Sequence, residues 1–242
     1  MTTVETTKKV VAPLEKGTAK GQSVPRKEDR RLVEGQGTFV DDIKRHGMGY
    51  LHFVRSPYAH AKLGSIDVTA ALELPGVYGT LTGDEVAILT DPFFQIAAPP
   101  GAAVKDYALA VGKVRYVGEP VVAVVAETRE LARDAAELVE VEYEPLPVLV
   151  DARKGQDADA PVLHEDCEGN VSYSGVWEWG DLDAAFAEAD HVVKISELHF
   201  ERFNSTPLET NGALVEFNRG TGQWTIHTNN QFPGFAAIMM GP

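Results

Sequence analysis

The sequence predicts an α+β protein, and three observations carry that expectation. A continuous apolar run at 119–126 reads as a buried strand, and the residues after it recur at helical spacing. Two strand-like stretches, 212–218 and 223–228, flank Arg219-Gly220-Thr221-Gly222, which supplies the glycines a tight hairpin turn requires. The first half is β-rich, with short strands and short helices divided by turn-prone pairs such as Ser56-Pro57 and Pro75-Gly76.

Taken in order, residues 1–26 mix Thr, Lys, Val and Glu without the apolar core of a secretory signal, and are expected to form a loose arm of a cytoplasmic protein. Strands follow at 51–55, 63–67 and 77–81, and 85–113, with Asp91-Pro92 and Ala98-Pro99-Pro100, reads as an irregular connection. After the strand at 119–126, Thr128 is placed to cap a helix that shows Leu131, Ala135 and Leu138 on one face. Val139, Val141 and Tyr143 open the next strand, completing a β-α-β segment, and 148–150 is expected as a last short strand. The polar, weakly patterned stretch 151–166 marks a boundary, giving one domain over 27–153, a linker over 154–169 and a second region over 170–242. There Asp181 is expected to cap a short helix, 191–200 to form a long strand, and Pro233 to open a helix after the hairpin.

Composition excludes several function classes. A net charge of -14 disfavours nucleic acid, and the one basic cluster, at 26–31, is interrupted by Glu28 and Asp29. The apolar runs are too short to span a bilayer. Cys167 is the single cysteine, so this chain alone forms no intrachain disulfide and ligates no iron–sulfur cluster through cysteines. Gly35-Gln36-Gly37 lacks the third glycine and preceding strand of a dinucleotide loop. The seven histidines, among them His60, His164, His191, His199 and His227, show no metal-ligand spacing and read as surface or core residues. Ser56, Ser205 and Cys167 lack a base nearby in sequence and read as structural. More informative are Pro207-Leu208-Glu209-Thr210-Asn211-Gly212 and Thr228-Asn229-Asn230-Gln231, which put a carboxylate and several amides at strand ends. From pattern alone these are also ordinary turn residues, and residue physics stops at an acidic α+β protein.

Several blocks in a fixed order nevertheless carry a resemblance. Arg30-Arg31-Leu32-Val33-Glu34-Gly35-Gln36-Gly37-Thr38-Phe39-Val40-Asp41-Asp42 is followed by Arg55-Ser56-Pro57-Tyr58-Ala59-His60-Ala61 and Tyr116-Val117-Gly118-Glu119-Pro120-Val121-Val122. Val141-Glu142-Tyr143-Glu144-Pro145-Leu146-Pro147 and Pro207-Leu208-Glu209-Thr210 come next. The order resembles the N-terminal portion of the large, molybdopterin-binding subunit of xanthine oxidase family molybdenum hydroxylases, closest in style to three-subunit bacterial members.

The resemblance implies an α/β hammerhead domain followed by the beginning of the first molybdopterin-binding domain. It implies a molybdenum-molybdopterin cofactor, in its cytosine dinucleotide form, shared with a chain carrying the remaining molybdopterin-binding domains. Two [2Fe-2S] clusters and FAD would sit on an iron–sulfur subunit and an FAD subunit, and a small organic substrate would be hydroxylated with oxygen from water. Gln231, in Asn230-Gln231-Phe232-Pro233, resembles the family's glutamine beside the apical oxo ligand, where its amide would donate without adding a titrating charge. Glu209 resembles a motif carboxylate, either on the substrate side or as a structural partner for backbone donors. The family's Gly-Gly-x-Phe-Gly loop and late catalytic Glu do not occur in the sequence, so the expectation is a split subunit or a truncated product, inactive alone and colourless, with no membrane or nucleic-acid partner. The rival expectation is a non-catalytic hammerhead scaffold for subunit assembly. An isolated chain of this kind is expected to aggregate, and proteases to cut it at 151–167 or beyond.

Overall fold

A computed structural model describes residues 21, 23–93 and 104–240. The expected arm therefore lies almost wholly outside the described residues, as does the middle of the irregular connection. The chain divides into two compact units. The larger holds Lys44–Thr206 together with the described residues from Phe232 onward; the smaller gathers the described residues up to Ile43 with Pro207–Gln231.

In the larger unit β1 (Tyr50–Arg55), β2 (Ala61–Asp67) and α1 (Thr69–Leu72) lead into β3 (Val77–Thr82) and α2 (Gly83–Leu89). The two-residue β4 (Lys113–Val114), β5 (Pro120–Ala126), α3 (Arg129–Glu137) and β6 (Glu140–Pro145) follow. They build two three-stranded sheets, ordered β1-β5-β3 and β4-β2-β6, with every pairing antiparallel. β5 lies between two strands and is buried on both faces, so it is apolar at successive positions, with Val121, Val122 and Val124 fully buried. Pro120 stands at the first residue of β5, where its missing N–H is tolerated, opposite a register shift at Val54/Arg55. The core joins these valines to Ala61, Ala71, Val114, Ala135 and Ala136.

The expected helix after β5 is α3, capped by Thr128, whose side chain accepts from the Leu131 N–H. The flanking strands, however, fall in different sheets, so the β-α-β segment is a bridge between sheets and not a parallel pair. The connection expected over 85–113 begins as helix: Thr82 and Glu85 form a reciprocal capping box that starts α2 at Gly83. Its backbone passes so close to Ala110 that a Cβ at Gly83 would lie 1.9 Å from the Ala110 carbonyl oxygen. Residues 148–150 and 191–200, expected as strands, are irregular, with Val150, Val193 and Phe200 at 91%, 85% and 81% exposure. Strand-like sequence forms a strand only where a neighbour supplies ladder partners, and none does so for these residues among those described.

The stretch expected as a linker is strapped to β4. Lys113, buried, donates from Nζ to the Val162 carbonyl at 3.0 Å and to Glu165 at 2.7 Å, and Arg115 donates from Nε to the Leu163 carbonyl at 2.9 Å. Asn170 closes the strap, accepting from the Leu163 N–H and donating to the Gly155 and Pro161 carbonyls. Beyond it come α4 (Leu182–Glu188), capped by Asp181 as expected, and, later in the chain, α5 (Pro233–Met239) with Pro233 in its first turn.

The smaller unit contains a five-residue helix (Asp29–Val33), a 3-10 turn (Val40–Asp42) and an antiparallel hairpin of β7 (Ala213–Asn218) and β8 (Gln223–Thr228). The hairpin turn closes because Asn218 Oδ1 accepts from the N–H groups of Gly220 and Thr221, while Gly222 takes φ 70°.

Candidate functional site

The hairpin register decides what meets at its open end. Ala213 pairs with Thr228 as the last rung, so Glu209 to Gly212 on the entering arm and Asn229 to Gln231 on the leaving arm emerge side by side. Glu209 is half-buried, and its Oε1 accepts from the Val40 N–H at 2.8 Å. Val40 also lies beside Gly212, where a Cβ would meet Val40 Cγ1 at 3.5 Å. One oxygen of this carboxylate, read either as a substrate-side group or as a structural partner, thus serves a backbone donor.

The two arms are cross-linked by Asn229. Its Nδ2 donates to the Thr210 carbonyl at 2.8 Å and its Oδ1 accepts from the Gly212 N–H at 3.3 Å, while Thr228 Oγ1 donates to the Gly212 carbonyl at 3.0 Å. Gln231 follows on the leaving arm, exposed, with no hydrogen bond to another described residue. Glu209 and Gln231, singled out separately in the sequence, therefore lie on the arms entering and leaving one hairpin, whereas the bridging role of Asn229 was not foreseen. The only trace of it in the sequence is an asparagine just beyond a strand, a position ordinary for turns.

A second concentration of polar groups lies within the larger unit, in a cavity of about 450 Å³ lined by Tyr107, Leu109, Arg115, Tyr116, Glu119 and His164. Its polar atoms are largely spent on local structure. Glu119 accepts from the Arg115 N–H, and Arg115 holds the Leu163 and Lys113 carbonyls. Burial raises the Glu119 carboxyl above its ordinary value, against the opposing pull of Arg115, and lowers the His164 imidazole, whose Nδ1 is buried without a partner. Among the residues set aside as structural, Ser56 is buried and engaged with both backbone groups of Tyr58, and Cys167 is buried with its thiol pushed up by burial. Among the described residues no three His, Cys, Asp or Glu side chains gather as a metal site, and no helix is long and apolar enough to cross a membrane.

Comparison with known proteins gives this geometry its family. Residues 34–147 match the aldehyde oxidase and xanthine dehydrogenase a/b hammerhead domain, and residues 163–241 match a molybdopterin cofactor-binding domain. The chain belongs to the xanthine oxidase family of molybdenum hydroxylases and contains its hammerhead domain followed by the start of a molybdopterin-binding domain. It is 38% identical to the nicotine 6-hydroxylase large subunit of Paenarthrobacter nicotinovorans, over 91% of this chain and 27% of that protein. It is 39% identical to the carbon monoxide dehydrogenase large chain of Afipia carboxidovorans, over 96% of this chain and 29% of that one. Among solved structures, quinoline 2-oxidoreductase from Pseudomonas putida 86 matches with a TM-score of 0.79 at 35% identity, over 90% of this chain and 28% of its own. The chain thus spans little more than a quarter of the curated relatives it matches.

Proposed function

We propose that this chain is part of the catalytic molybdenum subunit of a multi-subunit hydroxylase and faces the cofactor with the open end of its hairpin. The observation that carries the reading is Gln231: an exposed, neutral carboxamide beside a cross-linked loop, within the residues matched by the cofactor-binding family model. The donor set fits a molybdenum-molybdopterin group, because an uncharged N–H donor suits an oxo acceptor and Glu209, the nearby acid, is already committed to Val40. When bound, the cofactor would supply the two-electron oxidation of a carbon centre, with oxygen drawn from water.

Around that group the chain's own residues orient and hold. Gln231 would donate a hydrogen bond to the cofactor without titrating, and Glu209 keeps the entering arm of the hairpin against Val40. The substrate would be a small organic molecule, an N-heteroaromatic, an aldehyde or similar, in keeping with relatives named for nicotine and quinoline. The cofactor would be the cytosine dinucleotide form, completed by a chain with the remaining molybdopterin-binding domains, with electrons passing to [2Fe-2S] clusters and FAD on further cytoplasmic partners. The domain limits fitting this reading are 27–153 for the hammerhead and 170–242 for the partial molybdopterin-binding domain, with 154–169 connecting them.

The test is Gln231→Ala in the assembled enzyme. Reduced turnover at full molybdenum content is expected; unchanged turnover at full molybdenum content would sink the catalytic role and favour an assembly scaffold. Purified alone, the chain should show neither flavin nor iron–sulfur absorption, and stoichiometric FAD or iron on it would contradict the placement of those groups elsewhere.

A further inference from the structure

Beyond the rung Ala213 and Thr228 the sheet no longer holds the leaving arm, yet Gln231 lies only a few residues further on. We propose that Asn229 is the positioning residue for Gln231. Its carboxamide spends its donor on the Thr210 carbonyl and its acceptor on the Gly212 N–H, so the residue that precedes Asn230-Gln231 is locked to the opposite arm. That opposite arm is itself anchored twice, by Thr228 Oγ1 on the Gly212 carbonyl and by Glu209 on the Val40 N–H.

The chemistry of the bridge requires a carboxamide. Aspartate keeps the acceptor for Gly212 and loses the donor for Thr210; alanine loses both. Gln231, exposed and making no hydrogen bond to another described residue, has its place set by the backbone it hangs from. Catalytic geometry tolerates little drift, since a displacement of about 1 Å can cost about a hundredfold in rate. The inference rests on the reading of Gln231 given above and extends it to a residue that touches neither substrate nor cofactor.

The experiment has two arms. In the first, amide hydrogen exchange on the chain itself reads the bridge: Asn229→Ala should speed exchange at Gly212, and Asn229→Asp should do so less because its acceptor is retained. In the second, the same variants in the assembled enzyme should lose about tenfold to a hundredfold in kcat, with KM and molybdenum content near those of the parent. The electron paramagnetic resonance spectrum of the reduced metal should change as well. Exchange at Gly212 that is insensitive to Asn229→Ala would overturn the proposal, because the bridge would not exist. Faster exchange with unchanged kcat and spectrum would also overturn it, leaving Asn229 purely structural. Gln231→Ala run alongside separates the two readings. If it is silent, the role of Gln231 and this inference fall together; if it is impaired while Asn229→Ala is silent, this inference alone falls.

Discussion

The carboxylate of Glu209 accepts a hydrogen bond from the backbone N–H of Val40 at 2.8 Å, although 169 residues separate them in the chain. That contact ties the turn after the Gly35-Gln36-Gly37 segment to the arm entering the hairpin, so it brings two of the quoted sequence blocks into one unit. Glu209→Ala leaves a partly buried N–H without its charge-assisted partner and should cost about 1–2 kcal/mol, while Glu209→Gln, which keeps an oxygen acceptor, should cost less. Urea unfolding followed through Trp224, on β8 of the same hairpin, would show it; equal losses for the two variants would contradict the assigned bond.

Gly83 is expected to tolerate no side chain. A Cβ there would overlap the Ala110 carbonyl, so Gly83→Ala must shift one of the two backbones, at a cost of about 1–3 kcal/mol. Gly79→Ala, in β3 with open space around its Cα, should be near neutral in the same thermal-melt comparison.

The pH dependence of the larger unit should carry the signature of His164. Burial, reinforced by Arg115, holds its folded value below the ordinary 6.5, so around that pH the unfolded chain binds more protons than the folded one. Stability from this group is therefore complete above 6.5 and is lost as the pH falls toward the lower folded value. His164→Gln should flatten the fall of the urea midpoint as the pH drops below the ordinary 6.5, relative to the parent; an unchanged slope would show that His164 does not titrate in this way.

The strap across β4 should weaken at lower pH for a different reason. The hydrogen bond from Lys113 lowers the Glu165 carboxyl below its ordinary value of 4.5, so its contribution is present above that value and fades as the pH falls through the lower folded one. Because Glu165 is largely exposed, Glu165→Gln should cost only a few tenths of a kcal/mol. Lys113→Met, which removes a buried donor from the Val162 carbonyl as well, should cost about 1–3 kcal/mol. A larger loss for Glu165→Gln than for Lys113→Met would reverse this ranking.

Proteolysis of the isolated chain should begin within 171–206. That segment forms no strand, and Trp177, Trp179 and Phe203 are 92%, 98% and 88% exposed, whereas the strap at 152–170 is hydrogen-bonded along its length. First cuts inside the strap would point instead to the break expected from its polar composition.

Local rules in the sequence determined much of this protein. The apolar run of β5, the caps at Thr128 and Asp181, the glycine turn of the hairpin and Pro233 at a helix start were all legible, because each depends on residues within a turn or two of itself. The register of that hairpin, with Ala213 opposite Thr228 at its open end, depends on the same short-range rules. Tertiary structure decided what local pattern cannot encode. It sent β5 and β6 to different sheets, left 191–200 without a ladder, strapped the polar 152–170 segment down with Lys113 and Arg115, and turned Glu209 toward Val40. In each case the deciding partner is a backbone donor or acceptor far away in the chain, and every residue type carries the same C=O and, proline apart, the same N–H, so the sequence leaves no mark of which one will be met.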